Sequence, residues 1–378
     1  MTQPKVRPPA RAAKLLAPLA EAARRQGAPL YVVGGPVRDW LLRHPTFDLD
    51  LTVMGDPDRV AHAAAAVLSG TVESFGRFGT RRIASRSAFR VDVATTRAES
   101  YPDPACLPAV NATGVPIEQD LFRRDFTVNA MALRIDDGSG ALIDPYGGLR
   151  DLRGRSLRVL HPASFRDDPT RVFRAARFLA RFKWRPAPGL VADAKAALSA
   201  GHAGKLSAHR VLHELTCLLA EKDPRPAFKL LEDWGYLALI YPELSWRRPL
   251  PAGVEPRLAA LALALGPEKG RAFVDAFPHA HAVRARLHAA VELAFSNKSP
   301  RMPEPFAVAA ARRLLPRLPP AALKPCFLTG ADLIAAGLKP GPDFHGLLDE
   351  AARLQRSGRL RARAAALSWL KKRLASPS

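Results

Sequence analysis

The stretch YVVGGPVRDWLLRHPTFDLDLTV, from Tyr31 to Val53, decides how this chain reads. It begins as an apolar strand and turns at Gly34-Gly35. It then passes Arg38 in a short helix and returns as a second strand, DLDLTV, that opens on Asp48 and Asp50. Residues two apart on a strand project from one face, so these two carboxylates point the same way, about 7 Å apart along the strand. Paired carboxylates repel unless a cation stands between them. Mg2+ is held by one or two such groups together with substrate phosphates. Glycines at a strand-to-helix turn let the backbone come close to a phosphate, and Arg38 adds a fixed cation for phosphate oxygens. Further along, FRVDVATTR brings a third acid, Asp92, on a neighbouring strand.

Around this stretch the chain has 378 residues, enough for two or more domains. Lys and Arg number 57 against 35 Asp and Glu, a formal net charge of +22. Such an excess favours a polyanionic partner through counterion release. No apolar run approaches the roughly 18–20 residues of a membrane helix, and the N-terminus lacks the pattern of a signal peptide. Cys106, Cys217 and Cys326 lie far apart without metal spacing, as expected of free thiols in a reducing cytosol. A cytoplasmic protein follows, with no membrane and no obligate protein partner evident.

The spacing predicts a helix over 11–26, strands at PLYVVG and DLDLTV, and an Asp-capped helix at DPDRVAHAAAAVLSG. Three β-like runs then follow, TVESF, RRIASR and AFRVDVATTR. After HPASFRDDPTR (161–171) the strand signal disappears. Helical spacing covers 169–183, 205–221 and 224–240, and proline-rich breaks fall at 247–256, 298–305 and 315–325. The tail RSGRLRARAAALSWLKKRL reads as one basic amphipathic helix. The fold class expected is α+β at the N-terminus followed by an all-α C-terminal region.

A phosphate cradle followed by paired metal-binding acids is the layout of a nucleotidyl-transfer site. Here the sequence resembles a known family. VGGPVRDWLLRHPTFDLDLTV is similar to the signature of the class II tRNA nucleotidyltransferases and bacterial poly(A) polymerases, within the polymerase-β-like nucleotidyltransferases. DLFRRDFTVNAMAL (120–133), DPYGGLRDLRGRSLRVL (144–160) and RDDPTRVFRAARFLARF (166–182) resemble the family's second, third and fourth motifs, in order. The resemblance covers roughly residues 30–182. The Pro-containing, low-complexity N-terminus, residues 1–10, is expected to be disordered. The resemblance implies a polymerase-β-like head (palm) domain at 11–155, a helical neck at 156–240 binding base and RNA, and a helical body and tail at 241–378 binding tRNA.

Residue by residue, the resemblance implies that Gly34, Gly35 and Arg38 hold the triphosphate and that Asp48 and Asp50 bind Mg2+. Asp92 joins them as a third catalytic acid. Arg124 contacts the nucleotide, Asp125 and Asn129 shape the site, and Asn129 lies near the sugar. Asp168 and Arg171 face the base edge, with Arg174 and Arg177 near the nucleotide. The spacing supports this last assignment. Asp168, Arg171, Arg174 and Arg177 recur every three residues, which brings neighbours together on a helix. A carboxylate accepts and a guanidinium donates, so the two can present an edge complementary to a base without a nucleic-acid template. The family usually has Glu-Asp where this chain has Asp167-Asp168.

The activity implied is template-independent addition of CCA, CC or A to the 3′ acceptor end of tRNA from CTP and ATP. A poly(A) polymerase of the same family, or a catalytically dead RNA-binding relative, is the alternative; the intact Asp48 and Asp50 speak against the latter. The span AESYPDPACLPAVNATGVPIEQDLF (98–122) holds four prolines and no Lys or Arg. A stiff, uncharged or acidic loop there hints at a partial CC- or A-adding enzyme.

Overall fold

The computed structural model describes residues 6–75, 79–85, 89–246 and 250–375. They fall into two compact units, Met1–Leu206 and Ser207–Ser378. In the first, alternation makes the sheet. Strands β1 (Leu30–Val33), β2 (Asp48–Val53), β3 (Thr71–Phe75), β4 (Thr80–Ala84) and β5 (Arg90–Thr95) join two later strands in a seven-stranded mixed sheet. A separate antiparallel pair intervenes, β6 (Arg97–Ser100) with β7 (Ala109–Thr113). The later strands are β8 (Ala132–Arg134) and β9 (Leu142–Ile143), and the order across the sheet is β3-β4-β5-β2-β1-β8-β9. β2 and β5 run parallel; β1 pairs antiparallel with both β2 and β8.

One face is apolar. Leu30 and Val32 of β1, Leu49, Leu51 and Val53 of β2, and Val91 and Val93 of β5 share a buried core. That core also takes Leu16 and Leu19 from helix α1 (Ala10–Arg25). A short helix, α2 (Gly35–Leu41), contributes Val37 and Trp40, and α3 (Pro57–Leu68) contributes Val60 and Ala64. The Asp56 side chain caps α3 by accepting from the Asp58 amide. Val6 is buried in the same core, and residues 1–5 lie outside the described residues. On the opposite face Tyr31, Val33 and Ala132 pack with Ile117 and Leu121 of α4 (Ile117–Phe122). Since side chains alternate, Asp48, Asp50 and Asp92 share this second face.

The chain continues through α5 (Gly148–Arg153) and α6 (Ser164–Asp167) into α7 (Thr170–Phe182), where Pro169 precedes the first turn. The span 98–122, read as a stiff loop, carries regular structure. The β6–β7 hairpin carries a bulge at Ala98/Glu99, and α4 follows it.

The regular elements among the second unit's described residues are helices, with Ala208–Leu219, Arg225–Asp233, Val254–Ala264, His281–Phe295 and Pro342–Arg356 among them. Part of the expected proline break, residues 247–249, lies outside the described residues. The expected single tail helix is divided. One helix ends at Arg356, Gly358 adopts φ +78°, and a new helix begins at Arg363. Leu360, Ala366 and Leu370 are buried in an apolar cluster, so the tail packs as core as well as carrying charge. No helix among the described residues is long and apolar enough to cross a membrane.

Candidate active site

The strand register explains the acid cluster. Asp50 lies opposite Asp92 on the parallel neighbour β5, and Asp48 lies opposite Arg90. The Asp50 carboxylate reaches solvent at the floor of an open cleft. The surrounding protein still raises its pKa above the ordinary carboxylate value, against the pull of Arg124. Asp48 is about half exposed and lies 3.3 Å from the Arg90 guanidinium. Asp92 receives a two-pronged bond from Arg82 of β4, Nε to Oδ1 at 2.8 Å and Nη2 to Oδ2 at 2.9 Å. Among the described residues no group of three or more His, Cys, Asp or Glu side chains is placed to hold a metal ion by itself. Asp48 and Asp50 offer a pair of hard oxygen donors, the kind of set that a divalent ion completes with substrate phosphates.

Above the acids, Gly34 ends β1 with φ +75°, and a Cβ there would lie 2.9 Å from Arg124 Nη1. The left-handed backbone angle favours glycine, and a Cβ would press on the tip of the Arg124 side chain. The Gly34 amide donates to the Met131 carbonyl, and Pro36 has no amide, so the turn offers fewer amides to a phosphate than its sequence suggests. Arg38 is buried, bonds Asp39 through Nε at 2.9 Å and donates from Nη1 to Asn129 Oδ1 at 2.6 Å. Its guanidinium also lies 5.1 Å from the ring centres of Phe178 and Phe182. Arg124 is held by Asp120, which is fully buried and also receives Arg123. Burial alone would push the Asp120 carboxyl up, but the two arginines pull its pKa below the ordinary value.

Asp125 ties these parts together. It accepts from Asn129 Nδ2 at 2.9 Å, and its Oδ2 accepts from Arg174 Nε and Nη2 at 2.9 and 2.6 Å. A continuous chain therefore runs Asp39–Arg38–Asn129–Asp125–Arg174. Burial raises the Asp125 pKa, yet Arg174 and Asn129 outweigh it and hold the group at about 2. A pKa lowered from 3.8 to about 2 corresponds to about 2 kcal/mol of stability. Because the folded value is the lower one, that contribution is present above the unfolded pKa and is lost as pH falls from about 4 to about 2. Asp125→Asn is thus expected to destabilise the first unit at about pH 6, with the gap to wild type narrowing by about pH 2.5. Urea unfolding at the two pH values checks this, and an equal gap at both would contradict it.

At the start of α7 both expected base-reading residues are braced. Asp168 Oδ1 accepts from the Thr170 amide at 3.0 Å and the Thr170 hydroxyl at 2.6 Å. Arg171 donates to Ser164 Oγ at 2.6 Å, to the Arg123 carbonyl at 2.8 Å and to the Tyr101 hydroxyl at 3.3 Å. Of a guanidinium's five N–H donors, these bonds engage those on Nη1 and Nη2. Gly34, Gly35, Arg38, Asp50, Arg124, Asp125, Asn129, Asp168, Arg171 and Arg174 line one cleft of about 400 Å3 together with Phe178. Asp48, Asp92 and Arg177 are not among its lining residues. Sequence reasoning missed Phe178, although its place four residues after Arg174 puts it one helical turn away. It also missed the bracing residues Asp120, Tyr101 and Ser164, and the arginines Arg82 and Arg90. A larger cavity of about 650 Å3 in the second unit, near Lys298, Ser299 and Asp349, has no glycine turn and no paired-acid strand.

A mixed sheet with a glycine turn and a D-x-D strand beneath a nucleotide-sized cleft defines a nucleotidyltransferase head. Residues 30–158 match the family described as Poly A polymerase head domain, and residues 199–247 match the probable RNA and SrmB-binding site of polymerase A. The CC-adding tRNA nucleotidyltransferase of Deinococcus radiodurans is 34% identical over 91% of this chain and 90% of its own length. The A-adding tRNA nucleotidyltransferase of Geobacter sulfurreducens is 41% identical over 57% of this chain. This chain spans only 24–52% of the length of the A-adding relatives it matches. The Thermotoga maritima CCA-adding enzyme complexed with tRNA shares the fold, with a TM-score of 0.69 at 23% identity over 99% of this chain and all of that one. The chain belongs to the tRNA nucleotidyltransferase and poly(A) polymerase family. Enzymes of this family generally work with a divalent metal ion.

Proposed function

We propose that this protein adds nucleotides to the 3′ end of tRNA without a template, taking them from CTP or ATP and releasing pyrophosphate in the cytoplasm. One observation carries the reading. A single cleft gathers the Asp50 carboxylate, the arginines Arg38 and Arg124, and the braced pair Asp168 and Arg171. The triphosphate lies along Arg38 and Arg124, where the missing Gly34 side chain gives it room. The base meets the start of α7, where Asp168 accepts and Arg171 donates. The RNA 3′-oxygen attacks the α-phosphorus, the bond to the β-phosphate oxygen breaks, and the hydroxyl proton passes to water. Asp48 and Asp50 would hold Mg2+, which when bound supplies Lewis-acid polarisation of the phosphoryl oxygens. Arg38 is fixed by Asp39 and Asn129, so the cleft need not reorganise to meet the phosphates. Pyrophosphate release that requires tRNA lacking its terminal nucleotides, and that stops when the RNA 3′-hydroxyl is removed, tests the reading. Release without RNA would overturn it.

RNA held through phosphates gives a log–log salt slope of about −0.7 to −0.9 per phosphate neutralised. On the second unit Arg359, Arg361, Arg363, Lys371, Lys372 and Arg373 are exposed. Because the tail is also core, substitution tests them better than deletion. Arg361→Gln with Lys371→Gln and Lys372→Gln is expected to reduce the slope by about two to three units if all meet RNA. An unchanged slope, from filter binding at several salt concentrations, would assign these residues to solubility.

A further inference from the structure

The acids on the open sheet face are neutralised unequally. Arg90 approaches Asp48 at 3.3 Å, and both side chains are about half exposed, so that pair is weak and easily parted. Arg82 grips Asp92 with both prongs at 2.8 and 2.9 Å, with side chains only 23% and 14% exposed. Two-pronged Arg–carboxylate pairs are directional as well as strong. The register makes the grip local to the fold, because Arg82 stands opposite Asp92 on antiparallel β4, while Asp50 stands opposite Asp92 on parallel β5's other neighbour, β2. Asp92 therefore lies between an arginine that binds both its oxygens and an aspartate that repels it, with the half-exposed Arg90 a further 3.7 Å from its Oδ2.

We propose that Arg82 is a positioning residue that occupies both oxygens of the Asp92 carboxylate and so keeps it from joining the metal-binding pair Asp48 and Asp50, leaving Asp92 as a fixed charge beside them. The inference rests on the proposed nucleotidyl-transfer site. Asp48 can leave the exposed Arg90 at little cost and turn to a cation. Asp92 can do so only by giving up two bonds that are largely shielded from water.

The test is Mn2+ binding to the nucleotide-free full chain, followed by the free-ion EPR signal. Arg82→Lys keeps the charge but cannot form the fork, so it frees Asp92 without changing net charge. Changes in groups that orient metal ligands move metal affinity by about 10–100-fold, and we expect Arg82→Lys to tighten Mn2+ binding by about tenfold. Arg82→Lys combined with Asp92→Asn should return to the affinity of Asp92→Asn alone. Unchanged or weaker binding by Arg82→Lys overturns the proposal, as does tightening that survives the added Asp92→Asn. Asp48→Asn and Asp50→Asn separate this failure from failure of the site itself. If neither weakens Mn2+ binding, the metal site is misplaced; if both weaken it and Arg82→Lys does not tighten it, only the role of Arg82 falls.

Discussion

Asp48→Ala or Asp50→Ala is expected to lower nucleotide addition by about a thousandfold or more. A metal held by these groups stabilises transition-state charge by several kcal/mol, and each 1.36 kcal/mol is about tenfold in rate. The structure also gives a reason to expect RNA binding to survive. The two side chains lie on an open sheet face and support no core, whereas Leu49 and Leu51 between and beyond them face inward and are buried. Asp48→Ala also removes the nearer of the two carboxylates beside Arg90, leaving Asp92 at 3.7 Å, which makes the neighbourhood more positive and RNA binding equal or slightly tighter. Single-turnover extension measured beside tRNA affinity separates the two effects. Turnover retained in both variants would remove the metal assignment.

The second large effect concerns choice of nucleotide. Arg171→Ala is expected to reduce discrimination among CTP, ATP, UTP and GTP by about ten- to a hundredfold. Losing a hydrogen bond to a charged group costs about 1.5–3 kcal/mol, and 1.4 kcal/mol is tenfold. Asp168→Ala should act similarly, and the double variant should be less than additive because both side chains serve one edge. Bonds to Ser164, Tyr101 and the Arg123 carbonyl show how Arg171 is kept in place. Tyr101→Phe should then loosen selection mildly. Competition assays with paired nucleotides measure these ratios. Wild-type preference in either single variant, or loss of all activity with every nucleotide, would make this end of α7 a structural brace.

Much of the first unit was legible because its signals are local. The alternation in DLDLTV marks both the strand and its acidic face, and Gly34 announces a turn that its φ of +75° requires. Helix spacing foretold α7 and the place of Arg171 and Arg174 on it. What stayed hidden depends on pairing across the chain. Arg82 meets Asp92 through an antiparallel register, and Tyr101 meets Arg171 through a hairpin whose strand β7 is exposed along its length and so shows no alternation to read. Asp120 stands at the start of the second motif with no role assigned from the sequence, and it is fully buried between Arg123 and Arg124. The divided tail was hidden because basic residues continue through the turn at Gly358, and only packing of Leu360 and Leu370 shows where the helix stops.

One assay bears most directly on the central claim. Purified protein is given tRNAs that end at the discriminator base, at C or at CC, each with CTP alone, ATP alone or both, and the products are resolved to single nucleotides. The account predicts that at least one of these ends is extended by one to three nucleotides and then stops, with CTP, ATP or the two together as the source. No extension of any end, or a long homopolymer of A independent of the starting end, would contradict it.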